Sequence, residues 1–358
     1  MTITGTHAID RAVSLTVQAL RAAAHLDWSV PAAGLEWSCH ETAVHVVNDF
    51  IVYGARITER IADGSTPIER YTAPGAAPSV VVDAIEAAGR KLTAAVSAAD
   101  PDDRAWHPYG TSDADGFAAM GVVETLLHTH DILEGLGVQD FEPEPELCEH
   151  ALDRLFPHVP RGAAPWTALL WATGRADLAD LPRQTVWRWY ADPVPAGDRV
   201  VLCAISPELG ADLAAGGTGG FAWSEDGPFD GTRAASGMTA KAYEEGTYRP
   251  GWGPYAVVRT HDRRAIGGIG FHGAPDADGQ AEVGYDLVPS ARGNGYATEA
   301  LRGLTAWAFG QPGLTALRAS VDEGNDPSHA VLRRAGFERT GAGDGAVRYA
   351  LRSGSVDQ

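Results

Sequence analysis

A chain of 358 residues exceeds the roughly 100–200 residues of a usual single core, so two domains are expected. Its 47 acidic and 28 basic residues give a net charge of −19 with no sustained Lys/Arg run, which argues against nucleic acid and anionic membrane surfaces as main partners. Cys39, Cys148 and Cys203, odd in number and widely spaced, fit a reducing cytoplasm; Asp10 and Arg11 break the first apolar stretch, so no signal peptide or membrane span is expected.

The opening of the chain is Ala-rich with helical periodicity. Helices are predicted over about 8–26, 38–62, 79–99 and 115–135. A capping box of Ser38 and Glu41 opens the second, and Asp100-Pro101 stops the third. Residues 142–146 read as a polar connector before a short helix over about 147–156, followed by a Pro/Trp-rich stretch. The small, proline-bearing segment 191–197 is the best boundary. It divides a helical domain with its tail (1–192) and a linker (193–197) from a second domain (198–358). Gly/Ala-rich stretches between 209 and 237 are expected to form mobile loops over the second domain's cleft.

Within the helical part, His45 lies on an otherwise apolar helix side, and Glu124 and His128 stand four apart on one face of another helix. Two ligands on one helix and a third on a neighbour make a His₂Glu set, which holds a divalent metal with one position open, as catalytic zinc does. The same spacing also fits a hydrogen-bonded core histidine beside an ordinary Glu/His surface pair, and both readings stand. His40, His130 and the remaining histidines of this part show no ligand-like spacing.

Trp37-Ser38, His45, Glu124, His128 and Asp131 together resemble the DinB-like four-helix bundles, specifically the amino-terminal domain of mycothiol-dependent maleylpyruvate isomerases. The stretch Leu169 to Arg175 and Trp187/Trp189 are similar to the tail of actinobacterial members, so the resemblance covers about 8–190. It implies zinc or another divalent metal on His45, Glu124 and His128. It also implies a low-molecular-weight thiol such as mycothiol, whose thiolate is the nucleophile.

Further on, Glu282 to Val288 alternates as a strand, and Gly293 and Gly295 permit a tight turn. Ala297, Ala300, Leu301, Leu304, Trp307 and Ala308 then recur at helical spacing. A helix N-terminus behind such a loop presents free N–H donors and a positive dipole end, which favours a pyrophosphate. The P-loop pattern fails because no Gly-Lys-Ser/Thr follows, and Thr298 stands where a dinucleotide fingerprint needs Gly or Ala.

Arg292-Gly-Asn-Gly-Tyr-Ala297 fits the Arg-x-x-Gly-x-Gly/Ala signature of the GNAT acetyltransferases. With Asp198 to Leu202, Gly267 to Phe271, Glu282-x-Gly-Tyr285, Asn325, Ser328, Gly336 and Phe337, residues from about 198 to 352 resemble the RimJ/RimL-like branch. The resemblance implies an α/β fold with a mixed central sheet flanked by helices, and acetyl-CoA as cofactor. In that reading the strand through Tyr285, Leu287 and Val288 bonds the pantetheine and the acetyl carbonyl. The N–H groups of Gly293, Asn294, Gly295, Tyr296 and Ala297 hold the pyrophosphate, Arg292 lies beside it, and Asn325 bonds the pantetheine arm. Many relatives carry a tyrosine four residues after the Ser328 position as general acid; Leu332 stands there, leaving Ser328 as the substitute. Glu282 is the candidate base and His272 the second, although Glu282 equally fits a strand-end carboxylate holding a loop. Asp326-Pro327 reads as an N-cap with proline at the first helical position.

The expected whole is a DinB-like four-helix bundle followed by a GNAT domain. The expected function is acetyl-CoA-dependent acetylation of an amine, a small metabolite or antibiotic-like acceptor being favoured. Two alternatives stay open: a metal- and thiol-dependent transferase or isomerase with an auxiliary second half, and a non-catalytic metabolite-binding module. No nucleic acid or membrane partner is expected. The acceptor itself cannot be named, because its pocket falls in the least patterned stretch, about 206–250.

Overall fold

The structure, a computed structural model, describes residues 4–178, 181 and 183–353. The chain forms two compact units: Met1–Phe156, Gly162–Gln184 and Arg188–Asp192 make one; Pro157–Arg161, Thr185–Trp187 and Pro193–Gln358 make the other.

In the first unit α1 (Gly5–Ala23), α2 (Cys39–Glu59), α3 (Pro78–Ala98) and α4 (Ala114–Gly135) pack side by side, with α5 (Pro145–Leu155) against α4 and α6 (Pro165–Ala172) against α5. The expected capping box forms: Ser38 Oγ accepts from Glu41 N at 3.2 Å, and the Glu41 carboxylate accepts from Ser38 N at 2.8 Å. Helix α4 is apolar nearly all round because it is the central helix, burying Phe117, Met120, Val123, Leu126 and Leu127 on successive faces. Phe50, wholly buried, fills the middle. A Cβ on Gly89 of α3 would sit 2.7 Å from Val13 Cγ2, so this glycine sets how closely α1 and α3 approach. Two spans differ from expectation. Helix α2 stops at Glu59, because Arg60 takes a left-handed conformation, and α5 starts inside the expected connector, where Pro145 is its first residue.

The second unit is built on one eight-stranded sheet in the order β1-β2-β3-β4-β5-β6-β8-β7. The strands are β1 (Val194–Pro195), β2 (Val200–Ala204), β3 (Pro254–Arg259), β4 (Ala265–Phe271), β5 (Gln280–Leu287), β6 (Ala316–Asp322), β7 (Glu338–Gly343) and β8 (Ala346–Arg352). All neighbours are antiparallel except the parallel β5–β6 pair, so the sheet is mixed. Helices α7 (Pro207–Ala214), α8 (Asp230–Glu244), α9 (Tyr296–Phe309) and α10 (Asp326–Arg334) flank it. Ala300, Leu301, Leu304 and Ala308 of α9 share one buried core with Val283 and Leu287 of β5 and Leu317 of β6.

Three sequence expectations need correction here. The stretch 209–237, expected as loops, holds most of α7 and the first half of α8. Ser206 caps α7 ahead of Pro207, its first residue. The expected linker contains β1, which pairs with β2. The N-cap of α10 is Asn325 rather than Asp326, which puts Pro327 at the second helical position. All three cysteines are free and buried. Among the described residues no helix is long and apolar enough to cross a membrane.

Candidate functional site

Strands β5 and β6 are in register only from Gln280↔Ala316 to Glu282↔Arg318. Beyond Glu282 the two strands part, and the edge of β5 from Val283 to Leu287 opens on a cleft. An unpaired strand edge offers main-chain donors and acceptors to an extended guest. Two lobes share this cleft, and Tyr285, Asp286, Asn325 and Ser328 line both.

One lobe is the loop ahead of α9. Gly293 (φ +79°) and Gly295 (φ +82°) are left-handed, the conformation that favours glycine. Among the described residues the N–H groups of Gly293, Asn294 and Gly295 donate to no main-chain acceptor. Tyr296 and Ala297 open α9, where first-turn N–H groups have no intrahelical partner. The loop is braced from behind. Arg199 donates to Asn294 O at 3.0 Å and to the Glu299 carboxylate at 2.7 Å, and its guanidinium lies 5.2 Å from the Tyr296 ring centroid. Sequence reasoning passed over Arg199, although it sits in the Asp198 to Leu202 opening.

The other lobe is a cavity of about 370 Å³ walled by α8, β4, β5 and β6. It brings together His272, Glu282, Asn325 and Ser328, with His272 Nδ1 3.8 Å from Glu282 Oε2. Asp322 joins them, and among the described residues no lysine or arginine lines this lobe. Asp286 is spoken for: its carboxylate accepts from Thr232 N (2.8 Å), Thr232 Oγ1 (2.6 Å) and Gly268 N (3.0 Å), which caps α8 and fastens it to β4. A Cβ on Gly268 would stand 2.7 Å from Thr232 Oγ1, so α8 can seat there only over a glycine.

At the junction, Tyr285 donates to Ser328 O at 3.1 Å, and burial pushes its phenol up to about 12. Asn325 Oδ1 accepts from Ser328 N at 3.2 Å, leaving the Asn325 amide N–H free to donate into the cleft. Leu332 is wholly buried in the core and cannot reach a reacting group.

Three expected cofactor residues act differently. Val288 is fully buried and its N–H donates to Ile266 O at 2.9 Å, so it offers the cleft neither side chain nor donor. Leu287 O accepts from Arg292 Nε at 2.9 Å. Arg292 in turn lays its guanidinium 5.2 Å from the Phe229 ring centroid, and so braces the corner as well as lining the loop lobe.

In the helical unit, one ligating atom each from His45, Glu124 and His128 lies within 4.8 Å of the others. His128 Nε2 is 3.0 Å from Glu124 Oε2, and His45 Nε2 is 3.8 Å from the same oxygen. Tyr53 donates to Glu124 Oε1 at 3.4 Å. Two imidazoles and a carboxylate converging from α2 and α4 are a donor set that fits a divalent cation. Asp49 Oδ2, 3.0 Å from His45 Nε2, is a second carboxylate at the rim. Burial and the Glu124 charge raise Asp49 well above the usual carboxylate range, while burial lowers His45. Burial works against a charge on His128, but Asp131 and Glu124 bring it up to about 9 in the ion-free protein.

Residues 217–338 match the family model described as an acetyltransferase (GNAT) domain. The chain is 32% identical over 90 residues to the uncharacterized N-acetyltransferase YoaA of Bacillus subtilis (strain 168), a match covering 25% of this chain and 49% of that protein. It is 31% identical over 87 residues to the uncharacterized N-acetyltransferase YjdG of the same organism, covering 24% and 52%. The chain thus spans about half the length of the curated relatives it matches. A GNAT-family acetyltransferase from Bacillus anthracis superposes with a TM-score of 0.33 at 18% identity, over 45% of this chain and 98% of that one. RimL, a ribosomal-protein acetyltransferase solved with coenzyme A, gives the same TM-score, identity and coverage. On the family match, the parted β5 and β6 and the loop ahead of α9, the carboxy-terminal unit has the GNAT acetyltransferase fold.

Proposed function

We propose that the carboxy-terminal unit transfers the acetyl group of acetyl-CoA to the nitrogen of a small cationic amine. The observation that carries this reading is the junction of two chemically opposite lobes at Tyr285 and Ser328. On one side, main-chain N–H groups fan out at a helix N-terminus, as a pyrophosphate requires. On the other, Glu282 and Asp322 line a cavity with no lysine or arginine among its described residues, as an ammonium group requires.

The chemistry follows from those positions. Glu282, directly or through water and with His272 beside it, takes a proton from the ammonium. The neutral nitrogen attacks the thioester carbon, and main-chain N–H groups along the β5 edge stabilise the oxyanion. The C–S bond then breaks, and the Ser328 hydroxyl at the positive end of α10 gives its proton to the departing thiolate. The nitrogen sheds its second hydrogen to water as the amide forms, Glu282 passes its proton to solvent and Ser328 regains one, so atoms and charge balance. The direct test incubates the protein with acetyl-CoA and a panel of polyamines, amino sugars and peptides, with released thiol measured by a chromogenic reagent. Glu282→Gln is expected to lower turnover about 100-fold while CoA affinity is unchanged. No turnover together with no CoA binding overturns the reading.

The convergence of His45, Glu124 and His128 favours a second activity in the helical unit, read as a DinB-like bundle carrying zinc or another divalent ion. When bound, such an ion lowers the pKa of a thiol at its open position, which suits mycothiol or another small thiol. The chain is then a fusion of a helical domain (1–192) and a transferase domain (198–358). Its three free cysteines support a reducing, cytoplasmic setting. Metal analysis of the purified protein tests this, with loss of the ion in His45→Ala expected.

A further inference from the structure

The Asp131 side chain on α4 is 3% exposed. It is gripped by Arg175, from the turn after α6. Its Nε donates to Asp131 Oδ1 at 2.8 Å and its Nη2 to Asp131 Oδ2 at 2.6 Å, a two-point grip that matches the carboxylate plane. Arg175 is itself anchored, because Nη1 donates to Thr173 O at 3.2 Å. The same Asp131 Oδ2 lies 3.1 Å from His128 Nδ1. Because the guanidinium donates to both of its oxygens, Asp131 meets His128 as an acceptor, which places a hydrogen on His128 Nδ1. When the imidazole is neutral, the lone pair is therefore on Nε2, the atom facing Glu124 at 3.0 Å and the rest of the cluster. Neither Asp131 nor Arg175 belongs to the ligand trio, and the two stand 44 positions apart in the chain.

We propose that Arg175, acting through Asp131, is a positioning residue that locks His128 as the Nδ1–H tautomer and so presets the His45–Glu124–His128 trio to bind a divalent cation. This rests on the reading of that trio as a cation site. The competing role for Arg175 is purely structural, a clamp between the turn after α6 and α4.

The test titrates chelator-stripped full-length protein with zinc alone, in competition with a chromophoric chelator. Wild type is expected to bind zinc and His45→Ala to lose it. Arg175→Ala is expected to weaken zinc binding roughly 10–100-fold, the usual cost of losing an outer partner of a metal-bound histidine. Arg175→Lys keeps the charge but not the two-point geometry, and is expected to fall between the two. Histidine nitrogen NMR of the zinc-loaded protein supplies the readout a clamp would not move: a protonated Nδ1 on His128 in wild type, lost or broadened in Arg175→Ala. If Arg175→Ala does not fold, Arg175→Lys and Asp131→Asn carry the same comparison. Zinc affinity and the His128 signal unchanged in folded Arg175 variants overturn the proposal while leaving the trio intact. Failure of wild type to bind zinc overturns the reading of the trio itself.

Discussion

Tyr285 of β5 donates its hydroxyl hydrogen to the Ser328 carbonyl in the first turn of α10, tying together the two walls of the parted cleft. With the phenol raised to about 12, Tyr285 stays a neutral donor at every physiological pH. Both residues line both lobes, and their roles can be separated. Tyr285→Phe removes one neutral hydrogen bond, a loss of about 1 kcal/mol in stability, because the Asn325 cap still holds the α10 N-terminus. Turnover is expected to fall less than about tenfold. Ser328→Ala removes the proposed proton donor and is expected to lower kcat by about 100-fold or more. Steady-state kinetics of both variants decide the matter; the opposite ranking would assign the proton to Tyr285.

Gly295 carries the geometry of the loop lobe. At φ +82° a β-branched residue costs on the order of 1–3 kcal/mol. Gly295→Val must therefore strain the loop or relax it, and relaxation turns the fan of N–H groups away from its guest. Calorimetry with CoA is expected to show affinity weakened at least about tenfold, with the circular dichroism of the fold preserved. Undiminished affinity would mean that the pyrophosphate is held elsewhere.

Asp286 lines both lobes, yet its loss should be felt mainly in the acidic one. Its three accepted hydrogen bonds seat α8, and Gly231, Thr232 and Ala235 of that helix wall the acidic cavity. Asp286→Ala frees the α8 N-terminus at a cost of about 3 kcal/mol, since bonds to a charged group are worth about 1.5–3 kcal/mol each and share one carboxylate. KM for the amine is expected to rise by a larger factor than CoA affinity falls. Parallel losses in both would show that α8 supports the whole cleft.

The difference between what could and could not be read in advance has a physical origin. Helices α2 and α3 and the loop ahead of α9 announce themselves through local chemistry: a capping box, a proline at a helix start, glycines where φ is positive. Helix α8 does not, because the residue that caps it, Asp286, arrives from a strand 54 positions away. Its Gly/Ala-rich sequence, without an apolar stripe, looked like loop. The α10 cap was misplaced by one residue because proline is accepted at the second helical position as well as the first. Arg175 and Asp131, 44 positions apart, meet only through tertiary packing. Asp322 was invisible for another reason: among 47 acidic residues, one more exposed carboxylate carries no signal until the fold places it in a cavity.

Two buried histidines, one in each unit, make the protein sensitive to mild acid. Burial, reinforced by the Arg263 charge, pushes His158 down to about 3. Burial, with Arg56 nearby, pushes His107 down to about 4 among the rings of Tyr53, Tyr109, Phe117 and Trp189. Both therefore stay neutral in the folded chain, whereas in the unfolded chain they take up a proton near pH 6.5. Between those values the unfolded state binds more protons, so stability is full above about pH 6.5 and falls as pH drops towards the folded-state values. At pH 5 the loss is about 2 kcal/mol for each histidine. Thermal melts at pH 7.5, 6 and 5 should show both units losing stability across this window. His107→Phe should flatten the pH dependence of the helical unit's transition only, and His158→Phe that of the sheet unit only. Carboxylates, among them Asp49 raised well above its usual range, titrate alike in wild type and both variants, so the difference from wild type isolates each histidine; pH profiles left unchanged by both substitutions would place the acid sensitivity with those other groups.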